Sequence, residues 1–395
     1  LSYLAIARKY RPATFAEIVG QEHVTRTLQN ALERQRIHHA YLFCGARGVG
    51  KTTAARAFAK ALSCVNGPTP TPCGECGPCT AIAGGTSPDL IEIDGASNNG
   101  VDDIRELRDN VAYLPTQGAY KVYLVDEVHM LTRAAFNALL KTLEEPPAHV
   151  VFLFATTEPA KIPDTILSRV QRFDFKRIPV RGVVERLRTI AEAEGTQISD
   201  ASLRLIARAG EGSMRDAQSL LDKVISFGGA ETVDDAEVSE ILGLIDRRIL
   251  HSTLEGMVKG EPAKVLAAID TVYGFGFELS QFSEELLEVL RNATFLRLSP
   301  EARKYVDIAD DEVEALAAIV KDVDPEQLHR LFNALIDVHD QVSRAARPRL
   351  VLEMATVRLA TPRPVQPISG LVQRLEDLER RTRAPKPQGT RRAPR

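Results

Sequence analysis

Four residues in two short strings carry types and spacing that point to chemistry: Lys51 and Thr52, closing GARGVGKT at Gly45–Thr52, and Asp126 and Glu127, closing VYLVDE at Val122–Glu127. The first string has the form G-x-x-x-x-G-K-T. Its glycines let backbone N–H groups approach phosphate oxygens, and a helix starting behind it adds the positive end of its dipole. In that arrangement Gly45, Gly48, Val49, Gly50, Lys51, Thr52 and Thr53 form the cradle. Lys51 neutralises the β- and γ-phosphates, and the Thr52 hydroxyl ligates Mg²⁺. Asp126 stands at the carboxyl end of an apolar strand, where open parallel sheets bind ligands, and is expected to hold the magnesium directly or through water. Glu127, one residue on and pointing elsewhere, is expected to polarise an attacking water. The chemistry is binding and hydrolysis of ATP. The competing readings are a glycine-rich turn that matches by chance and a solvated acidic turn; strand before, helix after and the pairing of the two strings argue against both.

A second constellation is Cys64, Cys73, Cys76 and Cys79, spaced C-x8-C-x2-C-x2-C. Thiolates two residues apart chelate one tetrahedral ion from a tight turn, and Gly74, Gly77 and Pro78 supply such turns. Four sulfurs leave no open position for water, so the expectation is a structural Zn²⁺ site, with unligated thiols or an iron–sulfur cluster as the alternatives. The fifth cysteine, Cys44, reads as a small core residue beside the phosphate loop. Thr156 and Thr157 follow an apolar strand next to the acidic one, where a hydroxyl would sense the γ-phosphate. Arg169, ending a short helix that opens near Pro163-Asp164, and Arg215, beginning a later one, are candidates for phosphate contacts. The eight histidines form no metal spacing, and His129 reads as part of a helix start rather than a base.

These residues need a scaffold, and the alternation of apolar runs supplies one. Strands are expected at Tyr41–Cys44, Leu90–Ile93, Lys121–Val125, Val150–Ala155 and Arg172–Phe175. Helical periodicity links Ala55, Phe58, Ala59 and Leu62, and again Phe136, Leu139, Leu140 and Leu143 before Pro146-Pro147. Strand–helix alternation predicts an α/β domain over 1–178, a mostly parallel sheet with helices on both faces, carrying the cysteine module at 64–79. After Pro179 strand signals fade. A small helical domain is expected over 179–243, with helices at Val183–Ala193, Asp200–Ala209, from Ser213 and over Asp235–Leu242, broken at Gly228-Gly229. Ser213 and Asp216 fit a reciprocal capping box. A second all-helical domain is expected over 244–360, its longest helix carrying Leu328, Leu331, Phe332, Leu335, Ile336 and Val342. Residues 361–395 read as a Pro-bearing linker, a brief turn with Leu371, Leu375 and Leu378, and a basic disordered tail.

Composition agrees with a multidomain soluble chain. Its 395 residues exceed one ordinary core, and 44% hydrophobic with 26% charged residues are globular values. The net charge of −3 leaves nucleic-acid contact open, because charge can be segregated between faces. No apolar stretch approaches the roughly 20 residues of a membrane span, and the N-terminal residues lack a signal-peptide layout. The clustered cysteines favour a cytoplasmic, metal-binding chain over a disulfide-stapled one. A first residue of Leu suggests a trimmed or unusually started chain.

Taken together the strings resemble the gamma/tau subunits of the bacterial DNA polymerase III clamp loader, which are AAA+ ATPases. The resemblance runs from Tyr10 to about residue 360. It is carried by RKYRPATFAEIVGQ, HAYLFCGARGVGKTT, the four-cysteine insert, LVDEVHML, FNALLKTLEEPP, FATTEP, ILSRV and GSMRDA. It implies an AAA+ nucleotide-binding domain, a helical lid and a helical collar that packs into a hetero-oligomeric ring with other loader subunits. By the same resemblance Tyr10, Arg11 and Pro12 cradle the adenine side of the nucleotide, and Thr157 and Arg215 are the two sensor positions. Arg169 is the arginine finger reaching into a neighbouring subunit's site, and the cysteines are the family's zinc module. ATP binding would shape the ring to open the sliding clamp on primed DNA, and hydrolysis would release both. Longer relatives carry further C-terminal domains that hold the polymerase core and helicase; this chain runs into its basic tail soon after the collar and has no polymerase active site of its own. Two alternatives stand beside this reading: a non-hydrolysing ring scaffold, and an AAA+ branch-migration motor.

Overall fold

The computed structural model describes residues 4–228, 232–233, 235–306, 308, 310–361, 373 and 375–379. The chain divides into two compact units, Leu1–Leu244 and Ile245–Arg395. In the first, five strands form an all-parallel sheet: β1 (Ala40–Cys44), β2 (Leu90–Asp94), β3 (Lys121–Asp126), β4 (Val150–Thr156) and β5 (Gln171–Asp174), in spatial order β2-β3-β4-β1-β5. The three central strands are buried almost end to end, which is why they appear in sequence as unbroken apolar runs.

Side chains alternate between two cores, as the two-residue period of a strand requires. Tyr41 and Phe43 of β1, Val122 and Leu124 of β3, and Val151 and Leu153 of β4 pack with Phe58, Leu62, Leu28 and Leu32 from the helices Lys51–Ser63 and Glu22–Glu33. Leu42, Tyr123, Val125, Phe152 and Phe154 face the opposite way, onto Ile104, Leu107, Phe136 and Leu139 of the helices Val101–Val111 and Arg133–Glu144. Register then levels the carboxyl ends: Cys44 lies opposite Thr156 and Asp174, and Asp94 opposite Asp126. That shared edge is where the chemistry-bearing residues emerge.

The rest of this unit is helical: Val180–Glu194, Asp200–Ala209, Met214–Gly228 and Asp235–Ile241 close on Val183, Leu187, Ile190, Leu203, Ile206, Leu221 and Val224. Two features depart from the sequence reading. Gln197–Ile198 and Thr232–Val233 form a two-residue parallel pairing, too short to leave a periodic signal. The Ser213–Asp216 capping box is only half made: the Ser213 hydroxyl accepts from the Asp216 amide at 3.2 Å, while the Ser213 amide donates to the Gly210 carbonyl at 2.7 Å.

The second unit packs the helices Arg247–Lys259, Pro262–Gly274, Leu279–Leu298, Asp310–Val320, Pro325–Arg344 and Pro348–Ala360 around Leu254, Phe282, Leu286, Leu290, Leu316, Leu328, Leu335 and Leu352. Three of them open on proline, whose fixed φ and missing N–H suit the first helical position. Ile336, expected on the apolar stripe, is instead 39% exposed, one residue off the buried Leu335. All but the first residue of the linker expected at 361–370, together with Leu371, the Gly229 break and the basic tail at 380–395, lie outside the described residues; Leu375 and Leu378 are exposed. No described helix is long and apolar enough to cross a membrane.

Candidate active site

The loop between β1 and the helix Lys51–Ser63 takes its shape from glycine. Gly50 has φ +105° and Gly48 +73°, both in the left-handed region, and a Cβ on Gly48 would meet Ser213 Oγ at 1.8 Å. The lid helix Met214–Gly228 begins directly on this loop: the amides of Met214 and Arg215 approach the Gly48 carbonyl at 3.1 and 3.4 Å. Lys51 is buried and its Nζ donates to the carbonyls of Gly45 and Ala46 at 2.9 and 2.8 Å. Burial pulls the Lys51 ammonium below its ordinary pKa, and the nearby Glu127 and Asp126 offset only part of that pull.

Beside it the Thr52 hydroxyl donates to the Asp126 carboxylate at 2.7 Å. A hydroxyl and a carboxylate oxygen this close form an oxygen-donor pair of the kind a hard divalent cation takes with substrate phosphates. The next residue, Glu127, has φ +45°, a left-handed conformation rarely adopted by a non-glycine residue and concentrated at functional sites. That turn sends its carboxylate toward β4, where it accepts from the Thr157 amide at 3.3 Å and hydroxyl at 3.1 Å. Asp126 and Glu127 are adjacent in sequence yet serve different neighbours.

His129 lies in the 3-10 turn Val128–Met130, in keeping with the helix-start reading, and its ring also contacts polar groups at the strand ends. Its side chain is only 6% exposed, with Nδ1 3.0 Å from Thr156 Oγ1 and 3.4 Å from the Glu127 carboxylate, and Nε2 3.3 Å from the Glu158 carboxylate. The one signal that could have found it is its position two residues after Glu127, where the 3-10 turn Val128–Met130 brings the ring back over the strand ends.

A cavity of about 120 Å³ opens beside the loop, lined by Arg11, Pro12, Gly48, Val49, Gly50, Lys51, Thr52, Thr53 and Arg215 among the expected residues. Arg186 and Gln218 line it too, unanticipated; Gln218 lies three residues after Arg215 and so shares its helix face. Tyr10 does not line it. Its ring packs against the lid core, its carbonyl accepts from Arg186 at 3.0 Å, and a hydrogen bond with Glu194 raises its phenol pKa. Arg169 stays away from this edge within the chain: its guanidinium pairs with Glu144 at 2.8 Å and donates to the Thr165 carbonyl at 2.7 Å.

The four cysteines meet although 14 residues of loop and helix separate the first from the last: Cys64 ends the phosphate-loop helix, and Cys79 lies in the first turn of Gly77–Gly84. Their Sγ atoms all lie within 4.8 Å of one another, with Cys64 and Cys73 3.7 Å apart. A tetrahedron with Zn–S bonds near 2.3 Å has edges of about 3.8 Å, so the cluster fits zinc, whereas a disulfide would need sulfurs at about 2 Å. Cys44, buried and pushed up to about 11 by desolvation, stands outside the cluster.

Three family models cover consecutive stretches of the chain. They are described as DNA polymerase III, delta subunit (residues 20–179), DNA polymerase III clamp loader subunit, ATPase lid domain (182–230), and DNA polymerase III subunits gamma and tau domain III (233–375). The chain is 42% identical to the Bacillus subtilis DNA polymerase III subunit tau over 360 residues, 91% of this chain and 63% of that one. It is 42% identical to the Buchnera aphidicola DNA polymerase III subunit gamma over 291 residues, 74% of this chain and 80% of that one. Among solved structures, the Thermotoga maritima RuvB Holliday junction branch migration motor aligns at TM-score 0.45 and 22% identity, over 62% of this chain and 79% of that one. The chain thus spans a little under two thirds of the length of the Bacillus relative.

Proposed function

We propose that this chain, which belongs to the family of DNA polymerase III gamma and tau subunits, binds and hydrolyses ATP to drive loading of a sliding clamp onto primed DNA within a hetero-oligomeric ring. The observation that carries the reading is the pairing at the sheet edge of Thr52 with Asp126 and of Glu127 with Thr157, beside a buried Lys51. Lys51, resting on two carbonyls, is placed to exchange them for β- and γ-phosphate oxygens. Thr52 and Asp126 would hold magnesium, which supplies positive charge against the phosphates. Glu127 is the base that orients water, and Thr157, hydrogen-bonded to it, links that carboxylate to the state of the γ-phosphate. Arg11, Pro12 and Arg215 line the mouth on the nucleoside side. Tyr10 contributes by anchoring this segment to the lid rather than by touching the nucleotide.

The four cysteines would hold a structural zinc, closing a module inside the nucleotide-binding domain of residues 1–178. Residues 179–243 act as the lid and 244–360 as the collar, with residues 361–395 beyond it. The working compartment is the cytoplasm, and polymerisation itself belongs to other subunits. Arg169 presents its guanidinium on the surface, paired among the described residues with Glu144 and its own helix, and is proposed as the finger for a neighbouring subunit's nucleotide. The test is clamp- and DNA-stimulated ATP turnover in the assembled complex. Arg169→Ala is expected to lower it by about 10³-fold while leaving nucleotide affinity of the isolated chain unchanged. Equal activity of the variant complex would remove the finger, and an assembled wild-type complex without turnover would leave only the scaffold.

A further inference from the structure

A second, larger depression of about 740 Å³ lies against the outer side of the phosphate-loop helix. Four elements wall it: the N-terminal helix Ile6–Lys9 with the residues that follow it, the helix Lys51–Ser63, the end of the cysteine-bearing helix Gly77–Gly84, and the start of the lid helix. Among the described residues six cationic side chains line it, namely Arg8, Lys9, Arg11, Arg56, Lys60 and Arg215, and no Asp or Glu does. Two of the six have a carboxylate partner outside the wall, Lys9 with Glu194 and Arg56 with Glu92, and Lys60 donates to the Ala13 carbonyl. Among the described residues the guanidiniums of Arg8, Arg11 and Arg215 have no partner, and Arg56 Nε is buried without one. Burial first, then the charge of Arg56, lower the pKa of Arg11; Glu92 offsets part of this, and Arg215 and Arg8 add to the lowering.

A protein that drives like charges into one concave wall without carboxylates meets a desolvation and repulsion cost, which an anion relieves. The shape indicates which anion. The volume falls in the range of small-ligand sites, about 300–1,000 Å³. Forked guanidiniums from three separate elements suit several phosphoryl groups at once better than a single carboxylate. We propose that this basic cavity is a second anion site, which takes a short polyphosphate chain, free or carried on a nucleoside, beside the phosphate loop rather than within it. A ligand there would bridge the N-terminal segment, the phosphate-loop helix and the lid, and would compete with the nucleotide for Arg11 and Arg215. The site stands whether or not the phosphate loop hydrolyses ATP.

Isothermal titration of the full chain with inorganic tripolyphosphate, without added metal, tests this in a Lys51→Ala background that weakens the phosphate loop. Binding is expected to persist there and to weaken by about tenfold on adding Arg8→Ala, and similarly on adding Arg56→Ala. Arg8 is exposed and pairs with nothing described, so its variant stays informative if Arg56→Ala fails to fold. Titrating CTP in the same background separates the two sources: affinity equal to tripolyphosphate means the phosphate chain alone is read, and tighter binding means the nucleoside is read too. Loss of all tripolyphosphate binding with Lys51→Ala, or residual binding indifferent to both arginines, overturns the proposal. So does a single-stranded oligonucleotide that binds through Arg8 and Arg56 where tripolyphosphate does not.

Discussion

The sheet-edge site and the four-cysteine module both announce themselves in sequence, yet they are held together in opposite ways. At the sheet edge the functional groups satisfy one another: Lys51 on two carbonyls, Thr52 on Asp126, Thr157 on Glu127, His129 on Thr156. The geometry is held by polar contacts among the groups themselves. In the cysteine module four sulfurs crowd within 4.8 Å on a loop-rich stretch, an arrangement that grows repulsive as thiols ionise and that a metal turns into a staple. Motifs of equal clarity can therefore encode different dependencies, one serving chemistry on a stable frame and the other serving the frame itself.

Removing the metal should have the largest effect. Chelation, or Cys73→Ser with Cys76→Ser, is expected to release one equivalent of zinc and abolish amide-exchange protection across residues 64–85, since structural zinc sites contribute about 10 kcal/mol or more to their local fold. Unchanged exchange after zinc loss would break the contrast. The converse at the sheet edge is Lys51→Ala, expected to cut ATP turnover by about 10³-fold while shifting Tm by only about 2–4 °C, read by steady-state kinetics and calorimetry on the same sample. A collapse in Tm would mean that this region, too, depends on its functional group for folding.

A finer probe is His129→Ala, which removes a support of Glu127 and is expected to lower turnover about tenfold with nucleotide affinity retained. His129→Gln, which keeps a hydrogen-bonding group near Thr156, should recover part of the loss; indifference to both would reduce His129 to packing. The smallest effect belongs to the second unit, whose described residues form neither kind of site and which serves as control. Hydrogen bonds from Lys259 and Lys264 hold the Glu255 carboxyl down to about 2. A depressed carboxylate stabilises fully above its unfolded pKa, so this contribution is complete above pH 4.5 and is lost as pH falls toward 2. Acid titration followed by helix signal should show Glu255→Gln flattening that limb.

How much was legible follows from how local each signal is. All five strands agree with their expected ranges to within one residue at either end; burial on both faces gives the three central ones unbroken apolar runs, while the two edge strands, Leu90–Asp94 and Gln171–Asp174, are partly exposed. Thr52 and Asp126 meet at 2.7 Å because the strands Ala40–Cys44 and Lys121–Asp126 both pair in parallel with Val150–Thr156 and end at one edge of the sheet. What escaped depended on long-range packing. Tyr10 turns into the lid because Ile6 reaches Asp222 at 3.2 Å and Lys9 reaches Glu194 at 2.7 Å, partners roughly 200 residues away. His129 gained its place from a left-handed Glu127 that no propensity scale anticipates. Arg169 has an in-chain partner, Glu144, whose proximity depends on how two helices pack.

The carbonyl of Gly48 has one further consequence. Because it accepts from the first amides of the helix Met214–Gly228, the strip of chain that would touch a triphosphate is also the hinge-stop of the lid. A displacement of the loop would therefore bear directly on the first turn of a fifteen-residue helix. A methyl group at position 48 would act as a wedge against Ser213, pressing on the start of that helix with the helix itself unaltered.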